Sequence, residues 1–256
     1  MFLGDMLLIH LLFLCHTMEQ TLIIIPTFNE AENIKAIITA IFATTLDINV
    51  LVVDDESPDG TGALVLDLMT IYRQKLFLES RKEKSGLGAA YVHGFKWALR
   101  HKYDYIFEMD ADFSHNPSEL KPMLILLKAN FDVVIGSRYV NGINVVNWPL
   151  NRILLSYFAS MYVQLITAMP IKDPTAGFIG YKRTVLESIA LDDIKFVGYA
   201  FQIELKYKAW IKKFKLFEHP IIFKNRVLGK SKMSSNIIWE ALYGVLFLRL
   251  NKQRFK

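Results

Sequence analysis

Leu22-Ile23-Ile24-Ile25 is an apolar run without polar alternation, the mark of a strand buried on both faces. The period then changes. Ile34, Ile37, Ile38 and Ile41 recur at helical spacing and predict a helix that opens at Asn29 or Glu30 and runs to about residue 43. Val50-Leu51-Val52-Val53 is a second buried strand. Onward the pattern predicts a helix at 61–72 capped by Thr61, a short strand at 75–79, and a helix at 86–101. A strand at 105–109, a helix at 117–129 and a strand at 132–135 follow. This alternation predicts an α/β fold: a mainly parallel central sheet with helices on both faces. Such sheets bind ligands beyond the carboxyl ends of their strands. Three strands run straight into polar clusters: Pro26-Thr27-Phe28-Asn29-Glu30, Asp54-Asp55-Glu56-Ser57 and Asp110-Ala111-Asp112. All three are expected at one edge.

The later chain is more apolar and differently organised. Residues 153–171 carry no charge over 19 positions, a length that could span a bilayer. Ser156, Ser160, Gln164 and Thr167 recur through it at helical spacing. That stripe predicts one or two amphipathic helices, partly buried or lying on a bilayer. Residues 237–250 read as a further amphipathic helix of about 21 Å, at roughly 1.5 Å per residue, too short to cross a bilayer core of about 30 Å. It places Ile237, Ile238, Leu242, Val245, Leu246 and Leu248 ahead of Arg249, Lys252, Arg254 and Lys256. Lying on an anionic leaflet and packing on the core are both open to it. Residues 6–14 are apolar but short and lack a basic lead, so a cleaved signal is not expected. The expected division is a catalytic domain at 18–236, a basic C-terminal helix at 237–256, and an extension at 1–17 ahead of a start at Met18.

Composition narrows the chemistry. A lone cysteine, Cys15, excludes an internal disulfide framework and a cysteine-based zinc site, and fits a reducing compartment. The six histidines form no zinc-protease pair. The net charge of +5 is unevenly spread: residues 1–194 sum to −6 and residues 195–256 to +11. A basic end calls for an anionic partner, or is a solvated face.

Asp110 and Asp112, one residue apart after an apolar strand, can turn both carboxylates on one hard cation, Mg²⁺ or Mn²⁺. That cation would neutralise a diphosphate leaving group. Asp54 or Asp55 could accept hydrogen bonds from a nucleobase or ribose. Gly86-Leu87-Gly88-Ala89-Ala90, with Lys84 upstream, opens a helix where a phosphate or a neighbouring element could approach closely. Arg138, Arg152, Arg226, Lys230 and Lys232 supply cations in loops, which suits more than one phosphate. Gln202 and Glu204 are polar among apolar neighbours; Glu204 lies on a helix surface or reaches a sugar.

In order, PTFNEAENI, VVDDESPDGTG, GLGAAYVHG, MDADFSHNP, GSRY, DPTAGFIGYKR, GYAFQIE and NRVLGKSKM resemble the polyprenol (dolichol) phosphate mannosyltransferases, inverting enzymes of glycosyltransferase family 2 with the GT-A fold. The likeness covers about residues 21–235. It implies a nucleoside pocket of Pro26, Phe28, Glu30, Val53 and Asp55, with Phe28 where tyrosine is usual. Asp110 and Asp112 would hold the metal, Ala111 would contact the donor, and Ser114 stands where some relatives place a further metal-side ligand. Arg138, Arg226 and Lys232 would bind phosphates, and Arg152 the acceptor phosphate. Asp112, Arg138 and Arg226 become the catalytic candidates. The implied substrates are GDP-mannose and a polyprenyl phosphate, handled by a peripheral enzyme at the cytoplasmic face of a membrane. A UDP-glucose donor and a separate membrane-anchoring partner stay open. A nucleotidyltransferase would want a Gly-rich basic loop after the first strand, which is missing. A nucleic-acid partner is not expected, because it leaves the acidic clusters without a role.

Overall fold

The computed structural model describes residues 19–82, 86–225 and 235–255, without the side chains of 199 and 235–239. Lys84, Arg226, Lys230, Lys232, the expected start at Met18, and the side chains of Ile237 and Ile238 lie outside the described set. The strands are β1 (Thr21–Thr27), β2 (Asn49–Asp54), β3 (Leu76–Ser80), β4 (Tyr105–Glu108), β5 (Val133–Ser137), β6 (Val145–Val146), β7 (Ile179–Lys182), β8 (Leu216–Pro220) and β9 (Phe223–Lys224). The helices are α1 (Ile34–Phe42), α2 (Thr61–Ile71), α3 (Leu87–Arg100), α4 (Leu120–Ala129), α5 (Leu150–Thr167), α6 (Arg183–Ser188), α7 (Tyr199–Ile211) and α8 (Ser235–Leu250).

Seven strands form one sheet in the order β3-β2-β1-β4-β7-β5-β8, and β6 pairs with β9 apart from it. β1 is parallel to β2 and β4, β2 to β3, and β5 to β8. β7 alone runs against its neighbours β4 and β5. The expected mainly parallel sheet is therefore present, with one reversed strand inside it. β1 explains its own unbroken apolar run: Leu22 and Ile24 pack into the core on the α3–α7 side, Ile23 and Ile25 into the core on the α1–α2–α4 side. Period-two alternation vanishes when both faces are covered.

Two local expectations need correction. α1 starts at Ile34, not at Asn29 or Glu30, because Asn29 takes φ 58° and breaks the helical path. Thr61 is not the cap of α2. The N-cap is Gly60, at φ 87°, and Asp59 before it accepts from the Thr61 backbone N–H at 3.0 Å and from its hydroxyl at 2.6 Å. Thr61 Oγ1 instead accepts from the Glu30 N–H at 3.0 Å and ties the two loops together.

The uncharged segment is one helix, α5, and its polarity is inverted. The polar stripe faces inward: Ser160 and Thr167 are buried, and Ser156 Oγ accepts from the Tyr139 hydroxyl at 2.8 Å. Leu150, Leu154, Tyr157, Phe158, Met161 and Leu165 are exposed. α8 packs on the core through Val245 and Leu248, its Leu242 carbonyl accepts from the Tyr162 hydroxyl, and Tyr243, Leu246 and Leu250 stay exposed. No helix among the described residues is long and apolar enough to cross a membrane.

Candidate active site

Parallel pairing decides where the polar clusters go. Thr27 is in register with Asp54, and Ile24 with Glu108, so β1, β2 and β4 end on one edge. β5 shares their direction and delivers Arg138 there. β7 runs the other way, so the loop before it, with Asp173 and Thr175, enters from the same edge.

At the β1–β2 end, Asp54 is committed to holding the loops. It accepts from the Thr27 hydroxyl at 2.6 Å and from the Ser57 N–H and hydroxyl at 2.9 and 2.6 Å. Asp55 is buried and lies 3.3 Å from the Arg81 guanidinium. Pro26 and Val53 are in register across β1 and β2, and Phe28, Glu30 and Asp55 follow at those strand ends. The Val53 side chain is packed in the core, so only its backbone faces the edge.

A separate cavity of about 240 Å³ opens beyond β4 and β5. Asp110, Asp112, Ser114, Arg138 and Arg152 line it, and the five β1–β2 residues do not. Its far walls are apolar, from α5 (Leu155, Val163) and α8 (Leu242, Val245). Asp112 is buried and accepts from the Ser114 N–H at 3.0 Å. Ala111 packs its methyl into the core between the two acids, so a ligand would meet its backbone. His115 was not singled out from the sequence. Its Nδ1 accepts from the Asp110 N–H at 3.0 Å, and burial holds its pKa below the usual histidine value. It is a neutral brace for the acidic turn.

The expected metal ligands, Asp110, Asp112 and Ser114, would offer two carboxylates and a hydroxyl from the cavity lining. Among the described residues no three His, Cys, Asp or Glu side chains cluster as metal ligands. Mg²⁺ and Mn²⁺ suit that arrangement, because such ions accept one or two carboxylates and complete their shell with water and phosphate. Structural zinc, which wants four nitrogen or sulfur ligands, does not.

Arg138 reaches the cavity in a fixed pose. Its Nε and Nη2 donate to the two Asp173 oxygens at 2.7 and 2.6 Å, its N–H to Asp173 Oδ2 at 2.9 Å, and Nη2 also to Thr175 at 2.8 Å. Burial raises the Asp173 pKa, but the Arg138 charge and hydrogen bonds outweigh it and the net shift is downward. Arg152 stacks on Trp148, 4.0 Å from the ring centroid, and donates to Asn225 at 3.0 Å.

α7 supplies the floor. Glu204 is corrected: it neither lies on the surface nor reaches a sugar. It is buried, accepts from the Lys195 and Phe196 N–H groups, and pairs with Lys208 at 2.7 Å. Gln202 lines the cavity and donates to Glu108, which also accepts from Tyr181 at 2.9 Å. Burial pushes Glu108 up to about 7 and Lys206, behind it, down to about 7. The Gly86–Ala90 turn serves packing at Gly88, where a Cβ would come within 2.8 Å of the Phe201 ring. Asp173, His115, Trp148 and Glu108 were missed, because each looks ordinary until the sheet brings it to this edge. Asp173 and His115 had a signal, as members of the DPTAG and MDADFSHNP motifs.

Comparison with known proteins agrees with this geometry. Residues 22–190 match Glycosyl transferase family 2. The chain is 45% identical over 227 residues to a polyprenol monophosphomannose synthase of Mycolicibacterium smegmatis, covering 89% of this chain and 86% of that one. It is 40% identical over 226 residues to an undecaprenyl-phosphate mannosyltransferase of Micrococcus luteus, covering 88% and 92%. A mannosyltransferase from Pyrobaculum calidifontis, solved with GDP-Man and Mn²⁺, shares the fold at TM-score 0.55 and 16% identity, over 92% of this chain and 71% of that one. Sheet order, edge chemistry and sequence likeness converge: the chain belongs to glycosyltransferase family 2 and is a relative of the polyprenyl-phosphate mannosyltransferases.

Proposed function

We propose that this glycosyltransferase moves mannose from GDP-mannose to a polyprenyl monophosphate, inverting the anomeric carbon. One observation carries the reading: a single cavity joins two carboxylates and two arginines at one end to apolar α5 and α8 walls at the other. An anionic headgroup with an isoprenoid tail needs that pairing. The names of the two bacterial relatives support the same substrates.

The nucleoside would lie at the β1–β2 end against Phe28, Glu30, Asp55 and the Pro26 and Val53 backbones. Asp110 and Asp112 would hold Mg²⁺ or Mn²⁺, with Ser114 beside them. When bound, the ion supplies charge neutralisation to the departing diphosphate. Arg138, aimed by Asp173, and Arg152, backed by Trp148, would position the acceptor phosphate, with Arg226 and Lys232 adding charge. A phosphomonoester is largely dianionic above its second pKa of roughly 6, so the acceptor needs little general-base help. The chain's task is to hold two anions in line for displacement. The enzyme would work from the cytoplasmic face, with the exposed side of α5 against the bilayer.

The test is an incorporation assay offering GDP-mannose, UDP-glucose and UDP-GlcNAc to polyprenyl phosphate, with and without Mg²⁺ or Mn²⁺. Metal-dependent formation of a β-mannosyl phospholipid from GDP-mannose alone is expected. An α-linked product, another preferred donor, or full activity without metal would reject the proposal. Asp112→Asn keeps the acceptor for the Ser114 N–H and so keeps the fold. It should lower turnover by roughly 100-fold or more, the scale of losing one electrostatic element of a transition state.

A further inference from the structure

Gln202 stands in the first turn of α7 with only 3% of its surface exposed, yet it lines the cavity beside Asp110 and Asp112. One end of its amide is accounted for: Nε2 donates to Glu108 Oε2. Glu108 is wholly buried, and its Oε1 accepts from the Tyr181 hydroxyl at 2.9 Å. Tyr181 thus holds one oxygen of Glu108 and the Gln202 amide N–H the other. The other end, Oε1, has no hydrogen-bond partner among the described residues. A buried polar atom left so calls for an explanation. Gly177 forms the adjoining floor: a Cβ there would lie 3.8 Å from His115 and 3.9 Å from the Gln202 amide nitrogen.

An amide oxygen accepts hydrogen bonds and repels phosphate. The diphosphate and the lipid phosphate carry no donor at neutral pH. The nucleoside belongs at the β1–β2 end, away from Gln202. Among the substrate groups, the one that remains donor-bearing is the sugar. We infer that Gln202 accepts a hydrogen bond from a hydroxyl of the transferred sugar and sets donor selectivity, with Glu108 and Tyr181 as positioning residues that fix the amide. This rests on the nucleotide-sugar reading above.

The experiment compares wild type with Gln202→Leu on the nucleotide sugar that wild type uses and on its single-deoxy analogues, with melting curves to confirm folding. For one analogue, wild type should lose roughly 100-fold or more in kcat/KM, as expected when a site built for a hydroxyl meets a substrate lacking it. Gln202→Leu should lose less than about threefold between that analogue and the parent, and treat the other analogues as wild type does. Glu108→Gln should blunt the same single discrimination. A Gln202→Leu loss equal for every donor would mean a structural role and overturn the inference. So would an unchanged sugar profile with a shifted Mn²⁺ half-saturation, which would place a metal-bound water at Oε1. If wild type transfers no sugar, the functional reading fails separately. Calorimetric binding of GDP-mannose and its deoxy analogues to both proteins then decides Gln202, and equal deoxy penalties in the two proteins would overturn its role.

Discussion

Arg138 was legible as a cation after a strand, but its partner was not. Asp173 lies 35 positions away and meets it only because β7 is reversed. Removing one partner of a buried ion pair leaves an uncompensated charge, at a cost of about 3–5 kcal/mol. Asp173→Asn should therefore lower unfolding stability by about that amount in urea titrations, and lose activity as Arg138 moves. Lys206 makes a second residue-scale case. It is fully buried, its Nζ donates to the Ala176 carbonyl at 2.7 Å, and its pKa falls from 10.5 to about 7, chiefly through burial. A depressed folded pKa gives a contribution that is complete above the unfolded value and lost as pH falls through the folded one. The stability of wild type relative to Lys206→Met should thus climb between pH 7 and about 10.5 and be flat below 7, with a slope of at most about 1.4 kcal/mol per unit. Urea unfolding of both proteins across pH measures it; a flat difference would show that Lys206 keeps its ordinary pKa.

At the scale of elements, the strand–helix alternation through residue 137 was readable, because β1, β2 and β5 are runs of β-branched and aliphatic residues and the helices between them show a 3.6-residue face. β7 and β8 were not read. Ile179-Gly180-Tyr181-Lys182 is short and interrupted by glycine, and β8 mixes Glu218 and His219 with apolar residues. The glycine has a tertiary reason: a Cβ at 180 would lie 2.5 Å from the Phe107 ring and 2.8 Å from Leu127. Gly180→Ala should cost about 1–3 kcal/mol through overpacking, seen as a lower midpoint in denaturant melts. A neutral result would mean that Phe107 can move aside. The same limit hid the packing role of Gly88, whose partner Phe201 lies on a helix far along the chain.

For the whole molecule, the informative surface is α5. Its apolar side faces out and its serines face in, the reverse of a helix on a water-facing surface. Contiguous exposed apolar area marks an interaction site. Under the function proposed above, this face would lie in a bilayer interface. Phe158→Ser and Leu165→Ser together, at positions 59% and 82% exposed, should leave the melting temperature within a few degrees of wild type. They should weaken sedimentation with anionic vesicles by roughly tenfold or more, since burying each side chain is worth about 1.5–3 kcal/mol. Unchanged vesicle binding would assign this face to another partner. The basic C-terminal quarter should add a salt-dependent component to the same measurement.

The sequence by itself determined the buried strands, the carboxylate pair at a strand end, and the ordered motifs of a glycosyltransferase. Those signals are local: periodicity, adjacency and spacing survive in one dimension. Only the tertiary structure decided that Arg138 is aimed by Asp173, that Gln202 lines the cavity with its amide held on Glu108, and that α5 points its apolar side outward. Each depends on which residues a reversed strand and a neighbouring helix bring within a few ångströms, and no local pattern records that.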